Sequence, residues 1–225
     1  MTQRGDEDHT APHSEEYKSV EHALAYLSRA DKIPHRVEGE AALLEHVPTG
    51  VRRVLDVGTG DGRLLSLVLL KCPDAAGVGL DFSPLMLENA RKRFAPRIEK
   101  GDVRILEHDL ARPLPDVGEF DVVCSCFAIH HLPHERKRSL YAEVFALLRE
   151  GGVFANLEHV ASPTAALHEE FFAALGLSVA DEDKSNILLD METQLAWLRE
   201  IGFTDVDCHW KWRELALLVG RRARP

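Results

Sequence analysis

A short apolar strand followed by a glycine-rich turn constrains the fold of this 225-residue chain more than any other stretch. Residues 54–57 (Val-Leu-Asp-Val) are apolar apart from one acid, which is typical of a strand buried on both faces. Gly58, Gly60 and Gly62 follow, and residues 63–70 have a helical pattern. Glycines let the backbone turn tightly and let a ligand approach, and the first N–H groups of the helix face the turn. This pattern predicts a nucleotide-like ligand at the carboxyl end of a parallel strand.

The spacing of the glycines favours one class of ligand over another. A dinucleotide turn has the form Gly-x-Gly-x-x-Gly, whereas here Arg63 stands at the sixth position and the third glycine is Gly62. Asp56 lies two residues before the first glycine, where its carboxylate would repel a pyrophosphate and attract an ammonium or a sulfonium. The pattern therefore favours the cationic nucleoside S-adenosylmethionine, with NAD as a distant alternative.

Composition and charge restrict the classes of partner and the cellular environment expected for this chain. The formal net charge of -10 and the pI near 5.6 make the chain a poor binder of phosphate backbones, so we expect a small-molecule substrate rather than nucleic acid. No apolar run approaches the ~20 residues of a membrane span, and the first residues lack a signal-peptide core. The four cysteines are sparse, which predicts reduced thiols in a cytoplasmic protein. We expect the protein to be a monomer or a homodimer.

Strand and helix patterns alternate through most of the chain, which predicts an α/β fold with a doubly wound parallel sheet. Two further strands follow each other directly near the C-terminus and should be antiparallel. We therefore predict a Rossmann-like seven-stranded sheet, mostly parallel with one antiparallel strand near its C-terminal edge, with helices on both faces. After the first strand, the predicted strands are 77–82, 103–109, 120–127, 153–160, 203–212 and 215–222, and the predicted helices between them include 85–94 and 135–149.

The domain organisation is predicted from composition and periodicity. Residues 1–14 are polar and expected to be a disordered tail, and 15–225 form a single domain. Residues 15–48 are predicted to form lid helices over the ligand crevice, and residues 161–202 are predicted to form a helical insertion or cap. The lid helices are 17–29 and 38–47, the second with Ala41, Leu44 and Val47 facing inward. The charge run at 135–138 is predicted to be a solvated helix face.

Two acids follow predicted strands where a nucleoside would bind. Asp81 closes the second strand, and a carboxylate there can accept hydrogen bonds from both ribose hydroxyls. Asp109 follows the third strand and is placed for the adenine amine. Phe82 and Met86 are candidates to line the adenine, or else core residues. The alternative for each acid is an ordinary turn or cap aspartate.

These motifs together resemble those of the class I S-adenosylmethionine-dependent methyltransferases over about residues 50–160. The resemblance implies that Asp56 and the loop residues Gly58, Thr59, Gly60 and Gly62 lie near the methionine part, with Asp81 at the ribose and Asp109 and Leu110 at the adenine. It also implies that residues 125–131, including Ser125, Cys126 and His131, floor the methyl-donor site. The motifs that carry it are residues 56–62 (DVGTGDG), 79–84 (GLDFSP), 108–110 (HDL), 120–132 (FDVVCSCFAIHHL) and 148–154 (LREGGVF).

Methyl transfer needs alignment and, for a protonated acceptor, a general base. The candidates are His130, His131, Glu158 and His159, which follow the fourth and fifth predicted strands; a site-lining structural role is the alternative for the two adjacent histidines. Arg36, in the predicted lid, could pair with a carboxylate of the cofactor or of the substrate.

Other patterns have mainly structural interpretations. Cys124 and Cys126 share one face of a strand, but Cys-x-Cys on an apolar strand is not a standard zinc arrangement, so no metal is expected. Trp210 and Trp212 are expected to pack against a helix, although they and Trp197 could instead cover an aromatic substrate. Three functions thus stay open: a small-molecule methyltransferase that yields S-adenosylhomocysteine, a tRNA- or cofactor-modifying enzyme of the same fold, and a non-catalytic cofactor-binding regulator.

Overall fold

A computed structural model describes residues 33–224 of the chain. Its centre is a seven-stranded sheet with the strand order β3-β2-β1-β4-β5-β7-β6. The strands are β1 (Arg53–Val57), β2 (Ala76–Asp81), β3 (Val103–Glu107), β4 (Phe120–Cys126), β5 (Leu148–His159), β6 (Thr204–Trp212) and β7 (Leu215–Arg221). The α-helices are α1 (Arg36–Glu45), α2 (Arg63–Lys71), α3 (Pro84–Arg93), α4 (Ala95–Glu99), α5 (His134–Leu147), α6 (Ala165–Ala174) and α7 (Met191–Ile201). Two 3₁₀ turns span Ile129–His131 and Val179–Asp181.

The sheet confirms the predicted fold class. β1 to β5 pair in parallel, and β7 is antiparallel to both of its neighbours, β5 and β6. The strand order reverses at β1 and β4, since β1 leads outward to β2 and β4 to β5. In such sheets a crevice opens at this reversal, outside the carboxyl ends of the strands. The glycine turn after β1 and the segment after β4 both lie there.

Two apolar cores cover the two faces of the sheet. Successive strand residues point to opposite faces, so Val54 packs in one core and Leu55 in the other. The first core includes residues of α1, α2, α3 and α6, and the second includes residues of α5 and α7. Burial on both faces explains why β1 and β4 have largely apolar sequences.

Most predicted elements are found with boundaries shifted by a few residues. The inward face predicted for the second lid helix is correct in part: Val47 is buried and Leu44 packs partly buried on the first core, whereas Ala41 is exposed. This helix, α1, begins at Arg36, and its buried residues include Gly39, Glu40 and Leu43. The charge of Glu40 concealed this face from an apolar pattern. The predicted tail 1–14 and the first lid helix lie outside the described residues, and the lid and cap roles stay predictions.

The two tryptophans of β6 lie against the first core. Trp210 packs on α1, where a Cβ added at Gly39 would lie 3.0 Å from its ring. The ring centroid of Trp212 is 4.5 Å from that of His35 and 6.0 Å from that of Phe171. Trp197 packs against the second core instead. Within residues 33–224, no helix has the length and apolarity needed to cross a bilayer.

Candidate active site

The turn after β1 is pressed against the segment that follows β4. At Gly58, where φ is +74°, an added Cβ would lie 2.2 Å from the Cβ of Ala128, so only glycine fits without movement. Gly60 also has a positive φ, of +56°, but an added Cβ there would meet nothing within 4 Å. The turn is thus closed on the side of Gly58 and open at Gly60. Thr59 N–H donates to the Leu80 carbonyl at 2.8 Å, and Gly62 caps the N-terminus of α2.

Asp56 is buried beneath this turn, with only 1% of its surface exposed. One carboxylate oxygen accepts a hydrogen bond from the Thr59 hydroxyl at 2.6 Å and one from Leu65 N–H at 3.2 Å. Burial raises the pKa of Asp56 to about 7, although these two hydrogen bonds oppose the shift. A cation close to the turn would therefore stabilise the ionised form of a carboxyl group that is otherwise half protonated at neutral pH.

Asp81 at the end of β2 holds the neighbouring backbone. Its carboxylate accepts hydrogen bonds from Gly60 N–H at 2.8 Å and from Ser83 N–H at 2.9 Å. Burial raises its pKa despite these bonds. Each carboxylate oxygen has a second lone pair, so the group can still accept hydrogen bonds from a ligand. Ser83 is the N-cap residue of α3, with Pro84 at the first helical position as predicted.

The residues predicted at the adenine lie around the carboxyl ends of β2 and β3. Leu110 is buried in the second core, and its side chain lies 3.6 Å from the position of a Cβ at Gly58. Asp109 accepts a hydrogen bond from Ala111 N–H at 2.9 Å, which is turn geometry and leaves its role at an adenine a prediction. Met86 is buried and Phe82 is half-buried. Leu110 approaches the glycine turn directly.

A buried ionic cluster joins α1 to the glycine turn. Glu40 accepts a hydrogen bond from Arg36 Nε at 2.8 Å, and Arg63 donates to both of its oxygens at 2.8 to 3.2 Å. Although burial acts in the opposite direction, the two guanidinium groups hold the pKa of Glu40 below its ordinary value. The two guanidinium groups and one carboxylate together carry a net positive charge. The guanidinium of Arg36 also lies 5.7 Å from the centroid of the Phe127 ring.

The end of β4 lies at the reversal of the strand order. Ser125 is fully buried and its hydroxyl donates to the Val57 carbonyl at 2.7 Å, which ties β4 to β1. Burial raises the pKa of the Cys126 thiol to about 12, so this cysteine is protonated. Phe127 has a φ of +52°, a conformation that is costly for a bulky residue and that turns the chain into the 3₁₀ turn of Ile129–His131. Among residues 33–224, no three His, Cys, Asp or Glu side chains are arranged to hold a metal ion.

His130 and Glu158 form a buried pair at the ends of β4 and β5. His130 Nδ1 lies 2.6 Å from Glu158 Oε1, and that oxygen also accepts from His159 N–H at 2.9 Å. Burial lowers the pKa of His130 well below its ordinary value and raises that of Glu158. No described residue bonds to Glu158 Oε2, although the atom is buried. An unsatisfied buried carboxylate oxygen costs free energy and is rare in native proteins.

His131 is held by a segment beyond β5. Its Nδ1 lies 3.0 Å from the Ser185 hydroxyl, which in turn donates to Asp183 at 2.7 Å. Its ring centroid is 3.9 Å from that of His130, and burial lowers its pKa well below its ordinary value. His131 thus packs beside the pair formed by His130 and Glu158.

The solvated face predicted at 135–138 is wrong for Lys137, which is fully buried. Its ammonium donates to the carbonyls of His130 at 3.1 Å, of Ile187 at 2.5 Å and of Leu132. Burial lowers its pKa to about 8. Lys137 therefore anchors the turn that carries both histidines to the segment around Ile187. The helical spacing to the buried Leu140, Tyr141 and Val144 is the signal that places it inward.

His159 belongs to a second cluster, which the sequence did not predict. Its Nε2 lies 2.8 Å from one carboxylate oxygen of Glu214, and the other oxygen lies 2.8 Å from His168 Nδ1 on α6. Glu214 is fully buried, and it follows β6 in the tight turn before β7. The ring centroids of His159 and His130 are 5.7 Å apart. The sequence placed Glu214 in a tight turn, where a carboxylate is normally solvated, so it carried no signal.

Comparison with known proteins identifies relatives of this chain. The model of the family described as "Methyltransferase domain" matches residues 54–152. Trans-aconitate 2-methyltransferase of Methylobacterium nodulans is 32% identical over 210 residues, which cover 89% of this chain and 74% of the relative. Demethylmenaquinone methyltransferase of Thermus thermophilus is 37% identical over 124 residues, 55% of this chain and 53% of that protein.

Solved structures share the fold at low sequence identity. An O-methyltransferase family protein from Burkholderia thailandensis superimposes with a TM-score of 0.72 and 20% identity, over 92% of this chain and 62% of its own. Human N-acetylserotonin methyltransferase in complex with SAM gives a TM-score of 0.67 and 16% identity, over 96% of this chain and 60% of its own. The chain thus spans about three fifths of the length of these two structures.

Together, the fold, the site and these relatives show that the chain belongs to the class I S-adenosylmethionine-dependent methyltransferases. The predicted family, enzyme class and cofactor are thereby confirmed at the level of the family. The individual site residues, the oligomeric state and the cellular location stay predictions.

Proposed function

We propose that this protein transfers the methyl group of S-adenosylmethionine to a hydroxyl oxygen of a small molecule. The observation that carries the proposal is the hydrogen-bonded pair of His130 and Glu158 at the carboxyl ends of β4 and β5. A histidine whose tautomer is fixed by a carboxylate is the usual arrangement of a general base. A hydroxyl is a poor nucleophile while it keeps its proton, so it is the acceptor for which such a base is needed.

The residues of the crevice suit this cofactor chemically. The open side of the turn at Gly60 admits a ligand, and the carboxylate of Asp81 beside it can accept from ribose hydroxyls. The raised pKa of the buried Asp56 suits a neighbouring cation. Arg36 and Arg63, with their net positive charge around Glu40, suit the carboxylate of the methionine part.

The chemistry is a displacement at a methyl carbon. When bound, the sulfonium cofactor supplies an activated methyl group and leaves as a neutral thioether, S-adenosylhomocysteine. The acceptor oxygen forms the new C–O bond and gives up its proton. Glu158 accepts a hydrogen bond from Nδ1 of His130, so Nε2 is the nitrogen that takes up the proton of the acceptor. The lowered pKa of His130 keeps the ring unprotonated, and therefore able to accept, at neutral pH. The positive charge thus passes from sulfur to the imidazole.

A carboxylate acceptor is the second candidate. It is favoured by the relative named trans-aconitate 2-methyltransferase, which aligns over most of this chain. A carboxylate is already ionised and needs no base, and it would meet the buried carboxyl groups of Glu158 and Glu214. These acidic neighbours support the hydroxyl acceptor instead. The net charge of -10 likewise argues against an RNA substrate.

The test is a screen with methyl-labelled cofactor against matched panels of hydroxyl and carboxylate compounds. Formation of labelled ethers together with S-adenosylhomocysteine is the expected result. Labelled esters alone would replace the first candidate with the second. Binding of the cofactor without transfer to any panel would favour the non-catalytic regulator, and no binding at all would overturn the proposed function.

Replacing Asp81 by alanine should weaken the binding of S-adenosylmethionine at least tenfold. The variant loses a charge-assisted contact to the ribose and the acceptor that orders Gly60 N–H and Ser83 N–H. Calorimetric titration measures the change. Asp116→Ala is the control, because Asp116 also accepts a backbone N–H, from Gly118, but is exposed and lies before the start of β4. Equal affinities of the wild type and the Asp81 variant would exclude the ribose contact.

The affinity for S-adenosylmethionine should fall as the pH is lowered from 7 to 5.5. The pKa of Asp56 is about 7 in the free protein, and a bound cation favours the ionised form. Binding below pH 7 must therefore release a proton, which weakens affinity by up to about tenfold per pH unit. Calorimetry in two buffers of different ionisation enthalpy measures both the affinity and the proton release. The Asp56→Asn variant should lose the pH dependence; a wild type that binds with constant affinity and releases no proton would contradict the assignment.

A further inference from the structure

We propose that Glu214 is a positioning residue of the acceptor site: it fixes His159 in the tautomer with the proton on Nε2 and seats helix α6 beside the catalytic pair. This role rests on the proposed function for its kinetic consequence and on the geometry alone for its structural part.

The geometry of Glu214 is that of a two-sided clamp. Each carboxylate oxygen lies 2.8 Å from one imidazole nitrogen, His159 Nε2 at the end of β5 and His168 Nδ1 on α6. A carboxylate only accepts hydrogen bonds, so both nitrogens must carry their protons. In neutral His159, the lone pair is then on Nδ1. One side chain thereby sets the hydrogen-bonding character of two histidines.

Burial makes this arrangement costly to lose. Glu214 is fully buried, and an ionised carboxylate without partners in such a place would be strongly disfavoured. Hydrogen bonds from His159, Ser162 and His168 hold its pKa below its ordinary value, against the effect of burial. In return, hydrogen bonding to Glu214, together with the charge of Glu182, raises the pKa of His168 in spite of its partial burial.

The clamped His159 is the neighbour in sequence of Glu158, the partner of the proposed base. Glu158, the partner of His130, directly precedes His159, and its Oε1 accepts the backbone N–H of His159. The ring centroids of His159 and His130 are 5.7 Å apart. In the neutral ring, Nδ1 of His159 is therefore an additional hydrogen-bond acceptor at this end of β5, suited to an acceptor molecule that carries a second hydroxyl.

Imidazole ¹⁵N NMR on the full-length protein tests the structural part without any acceptor. In the wild type, the neutral ring of His159 should carry its proton on Nε2. In Glu214→Gln, one oxygen remains where two were needed, so His159 or His168 must lose its acceptor, and the pKa of His168 should fall. Hydrogen exchange of the α6 amides should become at least tenfold faster.

Glu170→Gln is the matched control. Glu170 also joins α6 to the same turn, through Arg213 at 3.3 Å, but this ion pair is exposed and should contribute little. The control should leave both the tautomer and the α6 exchange unchanged. An Nδ1-protonated His159 in the wild type would overturn the proposal without any variant, as would a Glu214→Gln protein with unaltered histidine signals.

Kinetics separate this role from the proposed function. With an acceptor in hand, Glu214→Gln should lower kcat/KM for that acceptor at least tenfold while the affinity for S-adenosylmethionine stays at the wild-type value. A correct tautomer in a protein that methylates nothing would count against the proposed function only. An active enzyme whose kcat/KM and pH profile are unchanged by Glu214→Gln would count against the clamp only.

Discussion

Replacing Gly58 by alanine should weaken the binding of S-adenosylmethionine by a factor of about 100 or more. The new Cβ would lie 2.2 Å from the Cβ of Ala128, far inside any real contact between carbon atoms. Both sides of this contact are short backbone segments, one after β1 and one after β4, so neither can yield by a change of side-chain rotamer. The positive φ of +74° adds about 1–2 kcal/mol for any residue with a Cβ. Displacement of the turn would separate Gly60 N–H from Asp81 and deform the proposed cofactor site.

Gly101→Ala separates the clash with Ala128 from the cost of a positive φ. Gly101 has a φ of +80°, but an added Cβ would meet nothing within 4 Å, and the residue lies between α4 and β3. This variant should lose stability only and keep the wild-type affinity. Calorimetric titration gives the affinities, and thermal unfolding followed by circular dichroism shows whether each variant is folded. A folded Gly58→Ala protein that binds within threefold of the wild type would show that the turn does not touch the cofactor.

The parts of this molecule that could be predicted from sequence are those governed by local patterns. The turn after β1 follows from glycine spacing after an apolar strand, and the β6–β7 pair follows from two strands with almost no residues between them. The motif order then placed His130 and Glu158 at neighbouring strand ends. All of these depend on residues close together in the chain, or on the general rule that parallel strands end at one edge of the sheet.

What could not be predicted depends on contacts between distant segments. Glu40 looks like a surface residue of a polar helix until Arg63, which is 23 positions away, is brought beside it. Glu214 contacts histidines 46 and 55 positions away. Lys137 was detectable in principle, because it has the helical spacing of a core position, but its three carbonyl partners were not. A buried charge is stabilised by partners that only the tertiary structure supplies, and so sequence patterns place such residues at the surface.

Removal of the proposed base should have the largest effect on turnover. In His130→Ala, kcat for a hydroxyl acceptor should fall about 10²–10⁴-fold, the usual contribution of general base catalysis, while the affinity for S-adenosylmethionine changes little. Glu158→Gln should also lower kcat, because an amide can no longer act as an ionised partner of Nδ1. Single-turnover measurements with saturating cofactor give the rate of methyl transfer directly.

The lowered pKa of His130 implies that the wild-type rate should persist as the pH falls and decline only below about 6.5, the ordinary histidine value.

His134→Ala is the matched control for this experiment. His134 lies four residues further on at the start of α5, is exposed, and has its Nε2 3.2 Å from the Leu188 carbonyl. Its turnover should equal that of the wild type. If His130→Ala kept full turnover, proton removal would not be limited by this residue, and a carboxylate acceptor would become the better explanation because it has no proton to lose. Loss of turnover in the His130 and Glu158 variants alone, with cofactor binding kept in both, would mean that the acceptor enters the reaction protonated. The pair would then remove that proton, a step that a hydroxyl needs and a carboxylate does not.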